Sequence, residues 1–174
     1  MKALILNGSP RSTGNTALAA EAIAAGLKGK YEVEIVSAAA QNYRGCMACD
    51  GCKKNGGRCV IPDGGEEVLA KIEAADLLVL CTPVYWWGMT AHLKAVLDRL
   101  YSRSERLHGT GKKIGVFSVG EAELSDPEYR LIEEQVQCIA DYLGWKVAFL
   151  EKACACEAGS LAKESIAHLR NLSV

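Results

Sequence analysis

"KALILNGSPRSTGNTALAAEAIAAGLKG" runs from Lys2 to Gly29. Its first six residues, Lys2–Asn7, form a short apolar run that ends at Gly8-Ser9-Pro10. Such a run, bounded by turn residues, reads as a buried strand. A polar loop follows. From about Asn15 an Ala-rich segment reads as a helix that packs closely and is stopped by Gly29. Strand, loop and helix in that order make the opening unit of a parallel sheet.

The same unit recurs along the chain. "YEVEIVS" (Tyr31–Ser37) alternates polar and apolar residues, as a half-covered strand does. Residues 38–62 show no periodicity. Asp63, with Glu66 three residues on, resembles a capping box opening a helix that turns Val68, Ile72 and Ala75 inward. "DLLVLCT" (Asp76–Thr82) reads as a central strand. A loop leads to a helix from about Thr90, with Leu93, Val96, Leu97 and Leu100 at helical spacing. "KKIGVFSVG" (Lys112–Gly120) is a fourth strand. Asp126-Pro127 then caps a helix with Ile132, Val136, Ile139 and Leu143 on one stripe. "WKVAFLE" (Trp145–Glu151) is a fifth strand, and a last helix begins near Ser160 with Ile166, Leu169 and Leu172 inward. Five strands alternating with five helices predict a doubly wound parallel sheet in one domain, residues 1–174.

Composition sets bounds on function. The 174 residues are 49% hydrophobic and 24% charged, ordinary for a globular protein. Lys+Arg 20 against Asp+Glu 21 leaves no basic excess for nucleic acid or an anionic membrane. The N-terminal apolar run is too short for a signal peptide, and no 18-residue apolar span occurs, so a cytoplasmic protein is expected. In a reducing compartment, clustered cysteines point to metal or redox chemistry more than to disulfides.

In open α/β sheets, ligands sit outside the carboxyl ends of the strands. The loop after the first strand, "NGSPRSTGNT" (7–16), leads into a helix N-terminus, which favours an anion. Ser9, Ser12, Thr13, Asn15 and Thr16 add short polar groups and Arg11 a cation, while Gly8 and Gly14 let the backbone approach. A plain turn with a Ser/Thr cap would need fewer donors. No G-x-x-x-x-G-K-[ST] and no G-x-G-x-x-G is present, and the second strand ends in Ser37 rather than an acid. A monophosphate such as that of FMN is the remaining candidate. "TPVYWWGM" (Thr82–Met89) follows the strand at the switch point. Its Tyr85, Trp86 and Trp87 suit a planar ring, with backbone N–H groups near Gly88 for a carbonyl edge; a hydrophobic plug or subunit contact is the competing reading for Trp86 and Trp87. "VGEAE" (Val119–Glu123) lies on the same edge and places Gly120 toward the ring's far side.

Four of the eight cysteines lie in "CMACDGCKKNGGRC", spaced C-x2-C-x2-C-x6-C as Cys46, Cys49, Cys52 and Cys59. Three cysteines at such intervals can wrap one corner of an iron–sulfur cubane. Structural zinc more often uses two separated C-x2-C knuckles. Asp50, Gly51, Gly56 and Gly57 give the loop room to turn, and Lys53, Lys54 and Arg58 are placed to offset thiolate charge. Cys81 and Cys138 read as core thiols, and Cys154 and Cys156 as loop or core residues rather than a redox pair. The histidines are scattered, with His92 on a helix surface, and no catalytic acid, base or nucleophile stands out.

"GSPRSTGNT" followed by "TPVYWWGMTAHLKAVLDR" resembles the NADPH-dependent FMN reductase family of flavodoxin-like proteins, and the cysteine stretch resembles its iron–sulfur flavoprotein branch. The resemblance covers residues 2 to about 120. It implies a flavodoxin-like sheet of order 2-1-3-4-5, FMN as cofactor, and a homodimer or homotetramer. Carried over by position, the phosphate falls to Ser9, Arg11, Ser12, Asn15 and Thr16, and the ring to Pro83, Val84, Tyr85, Trp86 and Gly88. Two aromatics before the Gly, where the family commonly has one, leave Trp87 without a carried-over role. A [4Fe-4S] cluster on Cys46, Cys49, Cys52 and Cys59 is implied, with a metal-free loop and zinc as alternatives. The expected function is electron transfer between FMN, the cluster and an external donor or acceptor: ferredoxin, NAD(P)H, free flavin or quinone. A cluster-free NAD(P)H-dependent FMN or quinone reductase is the alternative. A non-redox phosphate-binding domain with a zinc knuckle is the third reading. In the 2-1-3-4-5 order, the cysteine loop lies beside the first strand, at the flavin's edge of the sheet, within reach of its own flavin or a partner subunit's.

Overall fold

Apolar residues on both faces of a strand require helices on both faces of the sheet, and that is the arrangement observed. The computed structural model describes Met1–Val174. The elements are β1 (Lys2–Asn7), α1 (Asn15–Leu27), β2 (Glu32–Ser37), a one-turn α2 (Gly51–Lys54), α3 (Gly65–Ala74), β3 (Leu77–Pro83) and α4 (Ala91–Arg99). A 3-10 turn (Leu100–Arg103) follows, then α5 (Ser104–Leu107), β4 (Lys113–Gly120), α6 (Pro127–Leu143), β5 (Lys146–Cys154) and α7 (Lys163–Arg170). All strand pairs are parallel, in the order β2-β1-β3-β4-β5.

Alternation along each strand splits the core in two. Leu4, Leu6, Leu78 and Leu80 face one side, against α3, α4 and α6. Ala3, Ile5, Leu77, Val79 and Cys81 face the other, against α1 and α7. The Ala-rich α1 comes close enough to α7 that a Cβ on Gly26 would lie 2.3 Å from the Arg170 carbonyl oxygen. β2 is an edge strand and exposes Glu32 and Glu34, charges that discourage pairing with another chain. No helix is long and apolar enough to cross a membrane.

Three local expectations change. The expected capping box is only half formed. The Asp63 carboxylate accepts from the Gly65 N–H at 2.9 Å, but Glu66 reaches the Cys59 N–H at 3.0 Å instead of the Asp63 backbone. The last helix starts at Lys163, because the Ser160 and Leu161 N–H groups bond back to the Glu157 carbonyl and the Asn15 side chain. Cys138 is exposed on the outer side of α6, not in the core, whereas Cys81 is fully buried.

Candidate functional site

The carboxyl ends of the central strands open on a cleft of about 500 Å³. Its lining includes Ser9, Arg11, Gly14, Asn15 and Thr16 from the first loop and Pro83, Val84 and Tyr85 to Trp87 from the third. Gly120 at the end of β4, Glu121 after it and Glu128 in α6 complete this side, with residues 155–158 beyond β5. Of the expected cofactor residues, Ser12 and Gly88 are outside it. Ser12 is exposed.

The first loop is held by its own backbone and by α4. The Gly8 N–H donates to the Cys81 carbonyl at 2.8 Å, and the Thr90 hydroxyl donates to the Gly8 carbonyl at 2.8 Å. A Cβ on Gly8 would lie 2.5 Å from Leu93, so only glycine fits. The Ser9 N–H donates to the Asn7 side chain, and the Arg11 N–H to Ser9 Oγ. The N-terminus of α1 carries no side-chain cap and no acidic residue in its first turn. Its leading N–H groups and the positive end of its dipole therefore remain available to an anion. Asn15 has a different task from the one expected. Its Nδ2 donates to the Glu157 carbonyl at 2.8 Å and its Oδ1 accepts from the Leu161 N–H at 2.9 Å. It brackets the β5–α7 loop to the first loop and so closes one wall of the cleft.

The third loop makes a tight turn. Tyr85 and Gly88 exchange N–H···O bonds of 2.9 and 3.2 Å. The Gly88 N–H is thereby engaged within the turn, so any N–H offered to a ligand there comes from a neighbouring residue. The two central residues, Trp86 at φ 50° and Trp87 at φ 61°, both sit in the left-handed region. Bulky residues are strained there, and such strain collects at functional sites. The two rings meet edge to face at 5.3 Å, and Trp86 is 91% exposed. Trp87, without an expected role, lines the cleft beside Trp86.

The far wall depends on Tyr129, which sequence reasoning missed. Its hydroxyl lies 3.0 Å from the Ala122 carbonyl and 3.3 Å from the Ala153 carbonyl, tying the loop after β4 to β5. Burial, then the neighbouring Glu128, pushes its phenol up to about 12. A Cβ on Gly120 would lie 2.5 Å from Glu128 Oε1 and 3.0 Å from the Tyr129 hydroxyl. Burial, then Asp126 and Glu121, raise the Glu128 carboxyl above its ordinary value. Cys156 also lines this wall, and Cys154 Sγ lies 3.4 Å from the Glu121 carbonyl, so both thiols stand at the cleft rim.

The four clustered cysteines come together elsewhere. Cys46, Cys49, Cys52 and Cys59 all line one small, mostly apolar recess with Val60, Ile61, Arg99 and Tyr101. Ala48 and Asp50 take left-handed conformations at φ 51° and 52°, which turn the loop around the recess, and the Ala48 N–H lies 3.4 Å from Cys46 Sγ. The recess and the cleft share no lining residue. The cysteine loop folds against α4 and the 3-10 turn.

Three arginines fasten it there. Arg99 Nη1 pairs with Asp63 at 2.7 Å and donates to the Arg44 carbonyl. Arg103 Nη1 donates to the Gly57 carbonyl at 2.6 Å, and its Nη2 pairs with Glu66. Arg106 Nη2 donates to the Gly56 carbonyl at 2.8 Å. The signal for two of them lay in the spacing, since Arg99 and Arg103 continue the buried stripe of Val96 at helical intervals, whereas Arg106 is exposed. Lys53, Lys54 and Arg58, the expected charge-balancing residues, are exposed outside the recess. The cation that lines it is Arg99.

The recess suits an anionic, thiolate-bound group. Arg99 is 1% exposed, yet its Nε and Nη2 make no hydrogen bond. Burial disfavours its charge, but Asp63 and the Cys59 thiol outweigh that and raise its pKa. No three of the chain's cysteine, histidine and carboxylate side chains converge tightly enough to chelate a single ion. The donor set, four cysteines beside one buried arginine, is chemically suited to a thiolate-ligated group.

A family model described as NADPH-dependent FMN reductase matches residues 1–133. An iron-sulfur flavoprotein of Methanocaldococcus jannaschii is 40% identical over 100 residues, which cover 57% of this chain and 51% of the relative. An iron-sulfur flavoprotein of Methanosarcina thermophila is 28% identical over 145 residues, 82% of this chain and 73% of the relative. The chain thus spans about half the length of several curated relatives it matches. A solved NAD(P)H:quinone oxidoreductase from Methanothermobacter marburgensis superposes with a TM-score of 0.71 at 20% identity, over 98% of this chain and 94% of that one, which establishes the flavodoxin-like fold. With the family match covering residues 1–133, which include both cleft-lining loops, the chain belongs to the NADPH-dependent FMN reductase family.

Proposed function

We propose that the chain is an FMN-dependent oxidoreductase of the iron–sulfur flavoprotein type, holding FMN in the cleft and a [4Fe-4S] cluster in the cysteine recess. The observation that carries the reading is the uncapped N-terminus of α1, which opens on a cleft with Arg11 at one end and exposed aromatic residues at the other. The free N–H groups of α1, with Ser9, Arg11 and Thr16, hold the phosphate. Pro83, Val84, Tyr85 and Trp86 form one side of the ring site, and Gly120 leaves space on the other. Asn15 holds the wall rather than the phosphate. FMN supplies hydride and single-electron chemistry; the protein supplies binding, ring environment and access. Cys46, Cys49, Cys52 and Cys59 ligate the cluster, and the buried Arg99 balances its charge.

The separation of cleft and recess shapes the rest of the proposal. Within one chain no residue touches both sites. A homo-oligomer that brings the recess of one copy to the cleft of another would complete the relay. Donor and acceptor are drawn from ferredoxin, NAD(P)H, free flavin and quinone, in a cytoplasmic setting. The same separation favours, as second reading, a cluster-free NAD(P)H-dependent FMN or quinone reductase whose cleft works alone.

Anaerobic purification, with the absorbance spectrum and the iron, sulfide and flavin content measured together, tests the choice. About four iron and four sulfide per flavin supports the first reading. Flavin without iron leaves the second, and a colourless protein sinks both.

A further inference from the structure

The guanidinium of Arg99 is the most buried charge in the molecule, and half of its hydrogen-bonding edge is unspoken for. Nη1 is committed to Asp63 and the Arg44 carbonyl. Nε and Nη2 are buried, lie on the residue that lines the cysteine recess, and make no hydrogen bond of normal geometry, with the Cys59 sulfur the nearby recess group. Buried donors in native proteins are almost always matched to a partner. A strut for Asp63 would need only the Nη1 edge. The fork is also sterically placed: a Cβ on Gly65 would lie 2.1 Å from Arg99 Nη1, so this position is kept clear for the guanidinium. The sulfur of Cys59 is the recess group that acts on it.

We propose that Arg99 is a positioning residue for the cysteine-bound group, donating from Nε and Nη2 to its sulfur atoms and favouring its reduced form. The inference rests on the cluster assignment made above. Four thiolates make the cluster anionic, and taking up one electron adds a further negative charge. A fixed cation and two N–H donors therefore interact more strongly with the reduced state than with the oxidised one. Hydrogen bonds to sulfur, net charge and solvent exposure are the levers by which a protein sets such a potential. Arg99 works all three: it donates, it carries charge, and it fills the inner side of the recess. The arginine edge facing Asp63 anchors the loop, and the opposite edge serves the cluster.

The test is a redox titration of the anaerobically prepared, cluster-loaded protein, with dithionite as reductant and electron paramagnetic resonance of the reduced cluster as readout. Iron and flavin content are measured on each sample. In Arg99→Gln, the equilibrium for taking up the electron should fall at least tenfold, a midpoint about 59 mV lower for one electron. Arg99→Lys keeps the charge without the fork and should lie between the two. Gly65→Ala keeps the arginine but pushes its guanidinium aside, and should shift the midpoint the same way. If Arg99→Gln fails to retain iron, the Gly65→Ala midpoint decides alone. Unchanged midpoints in every iron-retaining variant would overturn the role of Arg99 while leaving the cluster in place. Wild-type protein without iron would overturn the cluster reading itself, and this inference with it.

Discussion

The cleft at the strand ends and the cysteine recess are built by different means. The cleft is made where strands end. Its walls are the loops after β1, β3, β4 and β5, and the sheet order alone brings them to one edge. The recess is made away from the sheet edge, where a loop with one short helical turn is pinned to α4 and its continuation by Arg99, Arg103 and Arg106. Topology positions the first site, and buried ion pairs position the second. The two should therefore fail independently and by different amounts.

The largest effect is expected at the anchor of the recess. Asp63→Ala leaves Arg99 buried without its counter-charge, which costs about 3–5 kcal/mol. Urea unfolding followed by circular dichroism measures it. A loss under 1 kcal/mol would mean that the pair is not what holds the loop.

In the cleft, Gly120→Ala should cost less, about 1–3 kcal/mol, because the new Cβ crowds Glu128 and Tyr129 at the far wall. Weaker flavin binding should accompany it, measured by fluorescence quenching, with iron content unchanged. Iron loss in this variant would break the separation of the two sites.

Trp86→Gly should change stability in the opposite direction. Releasing a left-handed tryptophan at φ 50° stabilises the fold by about 1 kcal/mol. The loss of an exposed ring from the cleft should weaken flavin binding. A destabilised variant would show that the ring's contacts outweigh the backbone strain.

The smallest effect is a contrast in acid response. The Glu128 carboxyl is raised in the fold, by burial first, so the folded state holds its proton more tightly than the unfolded chain. Stability from this group rises as pH falls from neutral toward its ordinary value of 4.5. Asp63 shows the reverse. Burial opposes its charge, but the Arg44 N–H, the Arg99 guanidinium and the Gly65 N–H together lower it below 3.8. Its contribution is present above 3.8 and lost as pH falls through the folded value. Stability curves of Glu128→Gln and Asp63→Asn should flatten in these separate windows.

The same contrast explains what could be read from the sequence. Apolar runs and Gly-Ser-Pro or Gly-rich punctuation were enough for the five strands, and the family resemblance supplied their order. The strand ends pointed to Ser9, Arg11, Thr16, Tyr85, Trp86 and Gly120, the resemblance added Pro83 and Val84, and all of them line one cleft. Residues that act through backbone bonding were less legible. Asn15 looks like a donor to a ligand, yet its side chain is spent on Glu157 and Leu161. Gly88 looks free, yet its N–H closes a turn on Tyr85. The cysteine spacing announced a site but not its location, because the arginines that fix it lie some 40 residues later in the chain. Arginines on or beside the extension of an apolar stripe read as surface charge until Asp63, Glu66 and the carbonyls of Gly56 and Gly57 are placed around them.

The central claim is that one chain carries two separable sites, a flavin cleft and a cluster recess. Cys49→Ala, purified anaerobically beside the wild type, tests it most directly through iron and flavin stoichiometry. The account predicts iron lost and flavin retained at the wild-type ratio and affinity. Flavin lost together with iron, or iron absent from both proteins, would contradict it.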